Sequence, residues 1–497
     1  MPKVDQEFLD LPLDGLADAG LSTAASAGAS HADLRVEKIR TSSIRTRDRS
    51  LDSSEDSRAI GCSVRVLVDG AWGFASTSVL SPDAMRATAE RAAEVAKRFA
   101  AAAGDRVELA DEPAHVATWC SSYEIDPFEV PEADRIAWLL ELDGQALGAG
   151  ADHVYSFVDS VKEQKFFASS SGSRIVQQRL RMQADVSATV TDPELQETET
   201  METSAPPVGR GWEWTKGGWG FEQRAARLPE LLREKLRAPS VEPGRYDLVL
   251  DPTHLWLTIH ESVGHATEFD RTLGYEANYA GTSFATIDKL DSLRYGSPLM
   301  HITGDRLVEH GLSTVGFDDE GVEQQQWDIV RDGVLVGYQL DRQMAQRFGL
   351  GRSNGCAFAD SPAHVPIQRM PNVSLQPGTE DVSLDDLIGD IEDGIYIEGD
   401  NSWSIDMQRY NFQFTGQRFY RIRGGRIDGM LRDVAYQSKT TDFWNALDGI
   451  GGPSTYMLGG AFNCGKGQPG QIAPVSHGAP VARFRDIAVL NTRQEAR

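Results

Sequence analysis

Two of the ten histidines stand five apart with a glutamate beside the first, in His260-Glu261-Ser262-Val263-Gly264-His265. Two neutral imidazoles can bind a divalent ion such as zinc, and the carboxylate next to the first can take a proton from water that the ion activates. That is the chemistry of a metallopeptidase, with His260 and His265 as candidate ligands and Glu261 as candidate general base. The familiar helical motif is H-E-x-x-H, with its histidines four apart. Four positions leave two side chains about 40° apart around a helix, whereas five leave them about 140° apart. On a regular α-helix His260 and His265 therefore diverge. A π-type or unwound turn returns them to one face, and Gly264, a poor helix former, immediately precedes the second histidine. The spacing predicts a distorted helix at Val263–His265.

A catalytic zinc usually takes three protein ligands and keeps one position open. His254 lies six before His260, about 120° away on a regular helix, and reads as structural. Glu268, one turn after His265, is either a ligand or an acceptor that orients an imidazole. The other candidate is Cys464, in Asn463-Cys464-Gly465-Lys466-Gly467-Gln468-Pro469-Gly470-Gln471. Glycines close after it let the backbone bend towards an ion, and the nearby Lys466 would lower the thiol pKa. The competing reading is an inert core cysteine. Gly460–Lys466 also matches the first seven positions of a phosphate-binding loop. Gly467 stands where a hydroxyl should hold magnesium, and Pro469-Gly470 interrupts the helix that should follow, which argues against nucleotide binding.

The elements that must position these residues can be read coarsely. Asp251 and Pro252 suit the cap and first turn of a helix whose buried face is Leu255, Trp256 and Ile259, entered directly from a strand at Tyr246–Leu250. Before it, an Ala-rich helix spans Asp14–Ala25, and an extended segment carries Leu34, Val36, Ile39 and Ile44. Gly61–Val68 and Trp72–Ser78 form a hairpin about Asp69-Gly70. Ser81-Pro82 opens a helix with the face Met85, Ala89, Ala92, Val95, Ala96 and Phe99. A second helix starts near Pro131 and buries Ile136, Leu139, Leu140 and Leu147, and strands follow at Val154–Val161, Lys165–Ser169 and Ile175–Thr191. Residues 203–220, with Trp212, Trp214 and Trp219, form either a mobile flap or a packed crossover, and Phe221–Leu236 is helical. The later half is mostly β, with hairpins at Asp332-Gly333 and Gly424-Gly425 and a short helix from the cap Ser383 through Ile391, ended by Gly394.

The expected fold class is α+β: an N-terminal α/β domain over 1–240 with a mixed, largely antiparallel sheet, and a β-rich domain over 241–497 carrying the metal-binding helix. At 497 residues two domains are the natural division. Pro239–Gly244 marks the boundary. A hydrophobic content of 40% with 25% charged residues describes a soluble protein, and no apolar run approaches a bilayer span. No membrane partner or signal peptide is expected. A net charge of −25 repels phosphate backbones, so nucleic acid is not an expected partner. The four cysteines are scattered, which points to a reducing cytoplasm and against a disulfide framework.

Taken together, several segments resemble the TldD/PmbA family of metallopeptidases, also called the modulator of DNA gyrase family. They are His260–His265, Asp69-Gly70-Ala71-Trp72-Gly73-Phe74, Ala280-Gly281-Thr282-Ser283-Phe284, Trp403-Ser404-Ile405-Asp406, Asn463–Gln471 and Ser476-His477-Gly478-Ala479-Pro480. The similarity runs from about Ala32 to Arg485, and is greatest to the metal-bearing TldD-type members. The resemblance implies a zinc peptidase with His260, His265 and Cys464 as ligands and Glu261 as general base and acid. It also implies a heterodimer with a related subunit that lacks the metal motif, and unfolded proteins or peptides as substrates. Gly281–Phe284 and Ser402–Asp406 are expected to line the site, and His477 either assists the oxyanion or has a structural role. The alternatives are a zinc-stabilised scaffold with four ligands, and a metal-dependent amidohydrolase acting on small molecules.

Overall fold

Long strands form where apolar alternation is continued by polar residues that find buried partners. In a computed structural model of the chain, describing residues 3–493 apart from 102, 103, 105, 468 and 469, the strands His31–Arg47, Ser50–Val68, His153–Ser169 and Arg174–Asp192 make the body of a seven-stranded sheet. Ala71–Thr77 and Val116–Cys120 flank them, and Glu197–Glu202 pairs beside Arg174–Asp192. Only the pairing of Val116–Cys120 with Arg174–Asp192 is parallel. The four long strands carry a separate core at each end. Helices Leu13–Ser26 and Pro82–Ala100 cover Leu34, Val36 and Val64 at one end. Helices Glu132–Gly148 and Phe221–Arg237 cover Val154, Val158 and Val186 at the other.

Several expectations change here. Val154–Val161 and Lys165–Ser169 are one strand, because the polar stretch between them is buried and paired. Lys162 meets Asp5 and Asp126, Glu163 meets Arg179 and Arg181, and Gln164 meets Gln178. The strand expected at Gly61–Val68 begins at Ser50, in an arm that is exposed on both faces and so shows no apolar alternation. Phe99, expected on a buried helix face, is 62% exposed in the last turn. The Trp-rich segment is a packed crossover: Trp212 and Trp214 are buried, meeting Trp138 and Phe221 edge-on.

The C-terminal half is mostly β and closes on itself. Asp393–Ile405 pairs in turn with Gly244–Leu250, which continues through Ala482–Asn491, Val434–Lys439 and Asn411–Arg423 back to Asp393–Ile405. Closure removes the free edges of these strands. The hairpins at Asp332-Gly333 and Gly424-Gly425 form as expected. The helix capped by Ser383 is shorter than expected, Leu384–Ile388, and Gly394 belongs to a barrel strand, where it pairs with Asp247. Inside the barrel, Leu248, Leu250, Ile395, Phe414 and Phe484 form a core that continues through Leu255 and Ile259 of the motif helix. Buried ion pairs join the two halves, Lys165 to Asp319 at 2.9 Å and Arg65 to Glu320 at 3.0 Å. Among the described residues no helix is long and apolar enough to cross a membrane. All four cysteines are free.

Candidate metal centre

The barrel strand Gly244–Leu250 runs straight into the helix Pro252–Ile259. Asp251 caps it, its carboxylate accepting from the Thr253 N–H at 2.9 Å, and Pro252 occupies the first turn. The expectation of one buried face is too narrow. Leu255, Leu257, Thr258 and Ile259 are all buried, and only Trp256 is partly exposed, as befits a helix packed on every side. His254 is structural: its ring bonds the Gly399 carbonyl at 3.0 Å and the Tyr436 hydroxyl at 2.9 Å.

The α-helix gives way at His260. Residues His260–Gly264 form a π-turn in which the His265 N–H donates to the His260 carbonyl, followed by a 3₁₀ turn at His265–Thr267. This i→i+5 bond spans the two histidines and brings their rings to a centroid separation of 4.6 Å. Widening a helix leaves carbonyls without their usual partners. Side chains take them: Tyr295 donates to Ser262 O at 2.5 Å, Thr267 to Val263 O at 2.8 Å and Gln339 to Gly264 O at 2.5 Å.

Cys464 arrives on a different element. It lies in the strand Met457–Lys466, which pairs with Gln471–Ala479, and a register irregularity between Ala461 and Cys464 re-aims the cysteine. The segment is thus a β-hairpin, not the glycine-bent loop that the sequence suggested, and the Pro469 part of the nucleotide argument lies outside the described residues. The buried Arg369 ties the hairpin together, donating to Cys464 O at 2.6 Å and Gln471 O at 3.0 Å. Lys466 does not serve the thiol. Its ammonium lies between Glu268 (3.0 Å) and Asp270 (2.8 Å). Burial pushes Cys464 up to about 11, and Arg369 is the largest influence in the other direction.

Ligand atoms of His260, His265 and Cys464 lie within 4.8 Å of one another, a group able to hold a metal. Their hydrogen bonds fix which nitrogens are available. His477 contacts the Val373 carbonyl through Nδ1 at 2.8 Å; a carbonyl only accepts, so Nδ1 carries the proton and Nε2 accepts. His260 Nδ1, 2.7 Å from that Nε2, is then the donor, and its own Nε2 keeps a lone pair. His265 Nδ1 donates to Glu268 at 2.8 Å, leaving its Nε2 lone pair 3.5 Å from the Cys464 sulfur. Burial holds both rings neutral, pushing His265 down to about 3 and His260 well below the usual histidine range. Two imidazole nitrogens and a sulfur this close together fit a three-ligand metal set. Glu268, fully buried, is occupied by His265, Arg271 and Lys466.

Glu261 is buried beside this group, and its negative charge adds to the rise of the Cys464 thiol. Its carboxylate accepts from Arg409 Nη1 at 2.7 Å. Burial pushes the carboxyl above its usual range, against the pull of Arg409, Arg271 and a hydrogen bond from Trp403. Of the stretches expected as lining, 281–284 packs under the turn that carries Arg409. Thr282 N donates to Met407 O at 2.6 Å, and Gly281, at φ +91°, has Met407 O only 2.0 Å from where a Cβ would stand. His477 is committed to His260 and Val373, which removes it as an oxyanion donor. Sequence reasoning missed Arg409, Arg271 and Arg369. Only Arg271 had a local signal, its i,i+3 spacing from Glu268.

The sequence matches three successive family profiles: PmbA/TldA metallopeptidase domain 1 over residues 32–96, the central domain over 125–231 and the C-terminal domain over 243–491. A Methanothermobacter thermautotrophicus protein named metalloprotease is 30% identical over 471 residues, 93% of this chain and 96% of that one. The zinc metalloprotease TldD homolog of Saccharolobus solfataricus is 24% identical over 476 residues, 94% and 98% of the two chains. Among solved structures, a modulator of a DNA gyrase from Thermotoga maritima aligns with a TM-score of 0.76 at 16% identity, over 96% of this chain and 100% of that one. TldE from Thermococcus kodakarensis gives 0.71 at 15% identity, over 95% and 99%. At those identities the structural likeness is one of fold. With profiles along most of its length and a relative that matches it nearly end to end, the chain belongs to the PmbA/TldA metallopeptidase family.

Proposed function

We propose that this chain is a zinc-dependent peptidase acting on unfolded proteins or peptides, with His260, His265 and Cys464 as metal ligands and Glu261 as general base. The observation that carries this reading is the pair of tautomers: both motif histidines present an unprotonated Nε2 in the neighbourhood of the Cys464 sulfur. A bound zinc ion would polarise the scissile carbonyl and the attacking water. Glu261 takes a proton from that water and passes it to the leaving amine nitrogen. His477 and Glu268 hold the two imidazoles in the ligating tautomer. Exposed Tyr275, Tyr279, Trp403 and Met407 belong to the segments around Glu261 and Arg409. We assign them to contacts with extended peptide and with a related subunit lacking the metal motif, the pair enclosing the site. A reducing cytoplasm would keep the Cys464 thiol available.

Elemental analysis of the purified wild type, Cys464→Ala and Glu261→Ala tests the assignment. The wild type should carry about one zinc per chain, Cys464→Ala should lose most of it, and Glu261→Ala should keep it while losing cleavage of an unfolded substrate. Full zinc retention by Cys464→Ala, or cleavage by Glu261→Ala at the wild-type rate, would overturn the corresponding role.

A further inference from the structure

The general base of the proposed peptidase is held from outside its own helix. Arg409 donates a hydrogen bond to the Glu261 carboxylate from the turn that joins Asp393–Ile405 to Asn411–Arg423. Arg409 sits in that turn at φ +63°, where residues other than glycine are uncommon. Its surroundings impose the conformation. Asp406 accepts from the Gln408, Tyr410 and Asn411 N–H groups at 3.0, 2.8 and 3.0 Å. Thr440 Oγ1 donates to Arg409 O at 2.7 Å, and the backbone of Thr282 and Phe284 binds Met407 O and Gln408 O at 2.6 and 3.0 Å. Backbone strain persists where neighbours over-determine it, and such places cluster at functional sites.

The turn is therefore secured without the arginine side chain, which is left to act elsewhere. Nη1 donates to Glu261 Oε2 at 2.7 Å and Nη2 to the Ala280 carbonyl at 3.2 Å. Arg271 Nη1 anchors the same carbonyl at 2.7 Å. The planar fork thus spans from a fixed backbone oxygen to the carboxylate, a bridge that a lysine cannot make.

We propose that Arg409 is the positioning residue for the general base: a clamp between Glu261 and Ala280 that keeps the carboxylate aimed at the attacking water. It acts through Glu261 and does not touch the substrate. This rests on the peptidase reading above.

The test uses the zinc-loaded full chain in complex with its related subunit. Misplacing a reacting group by about 1 Å costs about 100-fold in rate, so Arg409→Ala should lower kcat by about 100-fold with KM and zinc content little changed. Arg409→Lys should recover only part of the loss, and added guanidinium ion should restore rate to Arg409→Ala but not to Glu261→Ala. A crystal structure of zinc-loaded Arg409→Ala should show the Glu261 carboxylate turned from its wild-type position. An unchanged kcat with raised KM would make Arg409 a substrate contact and overturn the proposal. So would loss of zinc in both variants, or an unmoved carboxylate. If the wild type cleaves no peptide, the peptidase reading fails separately, and the position of Glu261 in Arg409→Ala still decides whether Arg409 sets it.

Discussion

His477 accepts a 2.7 Å hydrogen bond from His260, 217 residues earlier in the chain. Its direction is set at the far end, where the Val373 carbonyl holds the proton of His477 on Nδ1. The relay dictates which nitrogen of a candidate ligand carries a lone pair. Removing such an outer partner typically costs about 10–100-fold in metal affinity. His477→Ala should therefore fold, bind zinc about 10–100-fold more weakly in chelator competition, and still carry all three ligands. Wild-type affinity in this variant would show that the ring needs no partner to hold its tautomer.

Gly264 has φ −53°, an ordinary helical value, so the glycine is there for space. A Cβ would stand 2.5 Å from Met370 Sδ and 2.9 Å from its Cε. Gly264→Ala should cost about 1–3 kcal/mol of stability, the usual result of overfilling a packed site. Met370→Ala in the same chain should recover part of that loss, because the clash is with this side chain. Urea denaturation of the single and double variants measures both. An unaffected single variant would mean that Met370 moves aside without penalty.

The π-turn was legible because five-residue spacing conflicts with α-helical geometry, and the conflict has few solutions. The hairpins at Asp69-Gly70, Asp332-Gly333 and Gly424-Gly425 were legible because positive φ has a local signature. Arg409 was not: its partner is 148 residues away, and nothing near it in sequence marks a turn that presents a side chain to Glu261. The long strand through Lys162, Glu163 and Gln164 was hidden for a related reason, since buried polar residues look like a strand end until their partners are known. Lys466 was misread because proximity in sequence to Cys464 says nothing of Glu268 and Asp270 on the opposite element.

The junction between the halves should give the chain an acid-sensitive contact. Burial by itself raises the Asp33 carboxyl, but Arg65, at 2.7 Å, and His31 hold it down to about 2. A folded value below the unfolded one, about 3.9, contributes stability that is complete above about pH 4 and lost as pH falls towards 2. The shift corresponds to about 2–3 kcal/mol. Asp33→Asn should be less stable than the wild type at pH 7, and the difference should shrink between pH 4 and pH 2. Urea unfolding at pH 7, 4 and 3 follows it. A difference that stays constant would place the acid-sensitive group elsewhere.

Lys466 is fully buried, with Glu268 and Asp270 on its ammonium at 3.0 and 2.8 Å. Removing one partner from a buried ion cluster usually costs about 3–5 kcal/mol, because the remaining charges lose their compensation. Lys466→Met removes the cation that faces both carboxylates and leaves Arg271 alone beside Glu268. The loss cannot stay local, since Glu268 also receives the Nδ1 proton of His265 at 2.8 Å. A Glu268 that turns away, or takes up a proton, no longer fixes that ring. The variant should therefore unfold at lower urea and bind zinc more weakly, the two effects together. Wild-type zinc affinity in a clearly destabilised Lys466→Met would separate them, and would show that Arg271 alone keeps Glu268 in place.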